Sequence, residues 1–176
     1  MEGAVIWITG LAGSGKTTLA KTLASDLENL GSKPVLLDGD ILREILDKDS
    51  SSEYSREARL NKGLRYAKLC HLLSSQGFFV VISTISMFDE IYSWNRAHLP
   101  NYFEVYLKVP LKELKRRDKN LLYSRFEAGL VSNVVGLDIQ ADEPQKADLV
   151  IEYESGQTHT ALSTRLIKKL KTKGAI

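Results

Sequence analysis

Nine residues carry the densest chemistry in this chain. GLAGSGKTT, residues 10–18, sets three glycines around a lysine and three hydroxyls. Gly10, four residues, then Gly15-Lys16-Thr17 is the spacing of a phosphate-binding loop, and it follows an apolar strand and opens a helix, as that loop requires. Gly10, Gly13 and Gly15 let the backbone curl, so that the N–H groups of Ala12, Ser14 and their neighbours converge on an oxyanion. The helix N-terminus behind Thr17 and Thr18 adds partial positive charge. The Lys16 ammonium is the group that reaches β- and γ-phosphates, and the Thr17 hydroxyl is the magnesium ligand. ATP and Mg2+ are therefore the expected donor and ion.

A second cluster is LLDGDILREIL, residues 36–46. Two aspartates flank a glycine at the carboxyl end of a strand, where open α/β sheets place ligands. Asp40 reads as both a helix N-cap and the base that takes the acceptor proton. Asp38 reads as a turn-former only. Arg43, one helical turn on, is placed to hold an anionic acceptor through its guanidinium. Lys16 and Asp40 are thus the expected catalytic pair.

These groups need a frame. AVIWIT (4–9), PVLLD (34–38), FFVVIST (78–84), residues 103–109 and residues 149–153 read as five buried strands. Helical spacing predicts helices over 16–30, 40–46, 56–76, 90–99, 111–117 and 160–171, with Gly31 and Gly77 as stops. The serine-rich stretch 48–55 reads as a loop. The alternation implies right-handed crossovers and one five-stranded parallel sheet flanked by helices. All of 1–176 forms a single domain on this reading, with a small lid over roughly 116–138. The densest basic stretch, Lys112 to Arg125, runs into the lid, and Arg117 is drawn from it as the phosphate-neutralising group.

Composition narrows the class. A net charge of +2 is too small to argue for nucleic acid. The one cysteine, Cys70, excludes an internal disulfide and sits at a buried helix position. The six-residue apolar run near the start is neither a signal peptide nor a membrane span, so a cytoplasmic setting without membrane contact is expected. The C-terminal run RLIKKLKTK, with Leu162, Leu166, Ile167 and Leu170 at helical spacing, reads as a docked surface helix.

A phosphate loop serves motors, switches and kinases alike. FFVVIST ends without the acid a motor ATPase would carry there, and Asn61-Lys62-Gly63-Leu64 lacks the aspartate of a guanine-reading NKxD. A small-molecule kinase fits best. A nucleotide-binding module without turnover and a nucleic-acid end kinase are the rival classes.

The sequence resembles the adenylylsulfate (APS) kinase family over nearly its whole length: GLAGSGKTTLA, LLDGDILREIL, FFVVISTIS, FEVYLKVPLKELKRRD and the stretch to Asp138. The resemblance implies transfer of the ATP γ-phosphoryl group to a ribose 3′-hydroxyl. It makes Asp40 the base, Arg43, Arg59 and Ser86 acceptor contacts, and Arg65 a further arginine of the same helix. Lys119 and Val134 fall at acceptor positions of the family pattern. A nucleotide acceptor is the implied partner, with no nucleic acid, and a homodimer is an assembly the resemblance allows.

Departures gather on the acceptor side. The family's ISPxR segment reads Ile85-Ser86-Met87-Phe88-Asp89, its RDPKGLY lid reads Arg117-Asp118-Lys119-Asn120-Leu121-Leu122-Tyr123, and its NFTGID reads Asn133-Val134-Val135-Gly136-Leu137-Asp138. Val134 replaces an aromatic that stacks on adenine, and such stacking contributes about 1–3 kcal/mol per base elsewhere. The donor loop keeps the family pattern. An unchanged donor and an altered acceptor imply a smaller, pyrimidine-type base. One offshoot of the family phosphorylates cytidine diphosphoramidate in bacterial capsule decoration. That acceptor is the expectation, and APS is the alternative.

Overall fold

Ala4–Thr9 is apolar at every position but its last, and every position is buried. Such a strand needs cover on both faces. Val5 and Trp7 face one hydrophobic cluster, while Ile6 and Ile8 face the other, as the two-residue period of a strand demands. The computed structural model describes residues 3–46 and 54–174. Its sheet contains β1 (Ala4–Thr9), β2 (Val35–Asp38), β3 (Phe79–Ser83), β4 (Tyr102–Lys108) and β5 (Leu149–Glu152), in the order β2-β3-β1-β4-β5. All pairings are parallel.

The helices are α1 (Lys16–Asn29), α2 (Gly39–Leu46), α3 (Arg56–Ser75), α4 (Asp89–His98), α5 (Leu111–Arg117), α6 (Leu122–Glu127) and α7 (His159–Thr172). α3 and α4 cover the Trp7 face through Tyr66, Ala67, Cys70 and Ile91; α1 and α7 cover the other through Leu19, Leu23, Leu27, Leu162, Leu166 and Leu170. α7 docks as its apolar spacing predicts, and Ser163 fixes it by donating to Asp26 at 2.6 Å. Burial pushes the Cys70 thiol up to about 12, which leaves it an inert core residue.

Both predicted glycine stops hold. Gly31 has φ +86°, and Ser32 N–H returns to Leu27 O at 2.9 Å; Gly77 has φ +89°, and Phe78 N–H returns to Leu73 O at 3.2 Å. Two local expectations need correction. Asp40 is not the N-cap of α2: the helix begins at Gly39, and Asp38 Oδ1 accepts the Asp40 N–H at 2.9 Å. The segment after α5, for which no helix is expected, contains one. Asp118 accepts the N–H groups of Tyr123 (2.8 Å) and Ser124 (3.3 Å), which starts α6 after a 3-10 turn at Lys119–Leu121. Most of the predicted 48–55 loop lies outside the described residues. Its last member, Ser55, caps α3 by accepting the Ala58 N–H at 3.2 Å.

Candidate active site

The phosphate loop leaves β1 at the centre of the sheet, and its carbonyls are held from outside. Leu11 O accepts from Ser14 N–H (3.2 Å) and from Lys16 Nζ (2.8 Å). Ala12 O accepts the Tyr123 hydroxyl at 2.7 Å, and Gly13 O accepts Arg117 Nη1 at 3.2 Å. Carbonyls fixed outward turn the N–H groups inward. The first N–H groups of α1 have no acceptor within the helix, and its N-cap, Gly15, brings no side chain to satisfy them. The result is a cradle for an anion.

Glycine is required at Gly10 and Gly15 for different reasons. A Cβ on Gly10 would meet Leu107 O at 2.7 Å, whereas Gly15 has φ +99° and lies under a side chain from α7. Lys16 is sunk among protein atoms around the loop. Desolvation lowers its ammonium to about 8, against the pull of Asp40 and Asp38, while Lys119 adds like charge.

Thr17 Oγ1 donates to Asp38 Oδ2 at 2.7 Å, and Ser83 Oγ donates to the same oxygen at 2.8 Å. Asp38 is thus far more than a turn-former. Partial burial alone would raise its carboxyl, but the hydrogen bonds from Thr17, Ser83 and the Asp40 and Ile41 N–H groups hold it below the usual range. The missing acid at the end of β3 is explained here. Asp38 pairs with Ser83 in the sheet register, so the neighbouring strand supplies the carboxylate. One hydroxyl and one ionised carboxylate at the cradle's edge are hard oxygen donors, which suit Mg2+ completed by phosphate oxygens and water.

Asp40 lies on the solvent side of this edge. Its side chain is 79% exposed and is paired with Arg43. Arg59 reaches the same region from α3. It donates to Tyr54 O (3.0 Å) and Asn133 O (2.7 Å), and its guanidinium lies 5.2 Å from the Tyr54 ring centroid. Burial, then the nearby Arg43 charge, lowers the Arg59 pKa. Two guanidiniums therefore share one field beside Asp40, an arrangement that favours an anion.

The remaining expected contacts have the following surroundings. Ser86 is buried, with φ +31°, and its hydroxyl lies 2.8 Å from that of Thr84. Thr84 in turn packs against Gly39, so Ser86 supports the aspartate turn from below. Lys119 packs by Gly13 and acts electrostatically on Lys16. Val134 is only 6% exposed. Asp138 holds its segment by accepting the N–H groups of Asn133 (2.6 Å) and Val134 (2.5 Å). Asp89 opens α4, where negative charge complements the helix N-terminus, and its N–H donates to Asp142 at 3.2 Å. Thr18 is exposed on the first turn of α1.

Sequence reasoning passed over Tyr54, Tyr123 and the Asn133 carbonyl. Asp118 followed by Leu122-Tyr123 was a usable helix-start signal for the second; the other two depend on tertiary approach alone.

Three comparisons bear on this geometry. Residues 2–152 match the profile of the adenylylsulphate kinase family. A cytidine diphosphoramidate kinase from Campylobacter jejuni is 43% identical over 166 residues, covering 94% of this chain and 95% of the relative. An adenylyl-sulfate kinase from Picosynechococcus is 33% identical over 175 residues, 99% and 97% of the two chains. Among solved structures, the Mycobacterium tuberculosis APS kinase in complex with AMPPNP and APS superposes with a TM-score of 0.87 at 28% identity, covering 97% of this chain and 98% of that one.

Proposed function

Because the chain belongs to the adenylylsulfate kinase family, phosphotransferases that use ATP and act on hydroxyl groups, we propose that its acceptor is cytidine diphosphoramidate, phosphorylated on a ribose hydroxyl, the 3′ position by family likeness. The observation that carries this reading is Val134, an aliphatic side chain 6% exposed where the family pattern has an adenine-stacking ring. A buried valine offers a purine no face, whereas a smaller pyrimidine loses less by its absence. The Campylobacter relative, named for that acceptor, supports the same choice.

The chain's own groups divide the work. Lys16 neutralises charge between the β- and γ-phosphates. Arg43 and Arg59 hold the acceptor's diphosphate. Binding of that anion draws Arg43 away from Asp40 and frees the carboxylate. Asp40 then takes the hydroxyl proton as the acceptor oxygen bonds to the γ-phosphorus and the bond to the β–γ bridging oxygen breaks, releasing ADP. Thr17, with Asp38 behind it, would hold Mg2+, which supplies charge neutralisation at the β- and γ-oxygens. Residues 116–138 act as the lid, with Arg117 and Lys119 brought to the donor phosphates.

APS remains the second reading, and Tyr54 favours it. That ring is exposed and is backed by Arg59, which also holds the Asn133 carbonyl, so it still offers a stacking face to a purine. The deciding measurement is the ratio of kcat/KM for the two acceptors with ATP and Mg2+, which reports differential transition-state binding. A ratio of at least about tenfold, or 1.4 kcal/mol, in favour of the cytidine compound is expected. The same margin for APS reverses the assignment.

A further inference from the structure

The strand order fixes which way a donor nucleotide leaves the cradle. β1 has β3 and β2 on one side, and β4 and β5 on the other. Asp40 and Arg43 follow β2, and Thr84 and Ser86 follow β3, so that side carries the acceptor groups. The nucleoside part of the donor must lie across the ends of β4 and β5. Arg117 is there, with its guanidinium 5.0 Å from the Tyr153 ring centroid. His159, the first residue of α7, is there too.

His159 sits where it can read the donor. A Cβ built on Gly15 would meet its Nε2 at 2.8 Å and its Cε1 at 3.7 Å, so the imidazole lies directly on the last residue before Lys16. The side chain is half-buried, and among the described residues neither ring nitrogen has a hydrogen-bond partner. An imidazole always carries a donor or acceptor at each nitrogen, so the ring has polar atoms to offer a ligand. Gly15 lies between the β-phosphate cradle and the base side, so the adjacent stretch of ATP is its α-phosphate and ribose.

We propose that His159 is a donor-binding residue that hydrogen-bonds the α-phosphate–ribose part of ATP. The proposal rests on the ATP-donor assignment and is independent of which acceptor is used. The test is equilibrium titration of the full chain with ATP, and separately with inorganic pyrophosphate, for wild type, His159→Ala, His159→Gln and His159→Phe. His159→Ala is expected to weaken ATP binding about fivefold, the equivalent of one net hydrogen bond. It should leave pyrophosphate binding unchanged, since that probe fills the loop but has neither a third phosphate nor a ribose. Gln should recover part of the loss and Phe none, a contrast that stands even if the alanine variant folds poorly. ATP affinity within twofold of wild type in all three variants overturns the proposal. So does an equal loss for pyrophosphate, which would mean that the ring merely braces the loop. A wild-type protein that binds no ATP overturns the donor assignment as well.

Discussion

The two halves of this site are built in opposite ways. On the donor side, successive carbonyls of the loop are gripped by side chains from α5, α6 and the loop itself, and Tyr123, which makes one of those bonds, is 2% exposed. On the proposed acceptor side, Asp40 and Arg43 are exposed and hold mainly each other. A preorganised cradle is what developing charge on a phosphoryl group requires, because reorganisation during transfer would raise the barrier. An exposed ion pair is weak by comparison, of order 0–1 kcal/mol, and is easily exchanged for a ligand. The donor half therefore has little freedom to vary, while the acceptor half can be rebuilt for another substrate at small cost in stability.

The sharpest way to break the comparison is at its rigid end. Lys16→Ala should reduce transfer by at least about 10³-fold, in keeping with the loss of a preorganised electrostatic group. Its circular dichroism and melting temperature should stay near wild type, because the ammonium contributes little to packing and is lowered in pKa by its own burial. Turnover near wild type in a folded variant would remove the donor assignment altogether.

Asp40→Asn comes next. The amide keeps the size and can still face Arg43, but accepts a proton poorly, so a loss of about 10²–10⁴-fold in kcat is expected with ATP affinity little changed. Asp38→Asn separates the two aspartates. The sequence alone ranks it as the milder change; the bonds from Thr17 and Ser83 make it a donor-side residue. It should raise the Mg2+ concentration needed for half-maximal rate, which Asp40→Asn should not. If both variants shift only the acceptor KM, the division into halves fails.

The donor cradle was legible because its signal is local. Gly10 to Thr17 needs only a strand before it and a helix after it, and both are nearest neighbours in the chain. Strand periodicity placed all five strands to within one residue for the same reason. Asp38 was misjudged because its role depends on Thr17, 21 positions away, and on Ser83, 45 positions away. Val134 and Ser86 were matched to a family pattern by position, and position says nothing of burial. α6 was hidden because its start rests on a side-chain cap from Asp118 across the strained Asn120 and Leu121.

A pH titration sharpens the contrast at lower amplitude. Lys16 titrates at about 8 in the folded chain, against 10.5 for an ordinary lysine. Between those values the unfolded state binds more protons than the native state, so stability should rise with pH across that window. Below pH 8 the full penalty of burying the cation applies. Urea midpoints of wild type and Lys16→Met, measured from pH 7.5 to 9.5, should converge as pH rises, with the variant the more stable at the low end. Parallel curves would mean that the ammonium is solvated in the empty cradle.

The smallest effect expected lies where the rigid half meets the proposed lid. Asp118, Asn120 and Leu121 have φ values of +36°, +60° and +55° within four positions. Asparagine and aspartate tolerate this region, but for leucine the Cβ crowds the backbone at a cost of roughly 1–2 kcal/mol. The side chain returns little of that, since Leu121 is 63% exposed. The family pattern has glycine at this position. Leu121→Gly should therefore remove the strain while adding about 0.5–1 kcal/mol of unfolded-state entropy, for a net stabilisation of at most about 1.5 kcal/mol. The readout is the urea midpoint at constant m-value. The substitution touches no loop carbonyl, so ATP affinity should stay within twofold. A destabilised Leu121→Gly protein would show that the leucine packs in solution, and a large change in ATP affinity would tie this turn to the cradle more tightly than the bonds from Arg117 and Tyr123 imply.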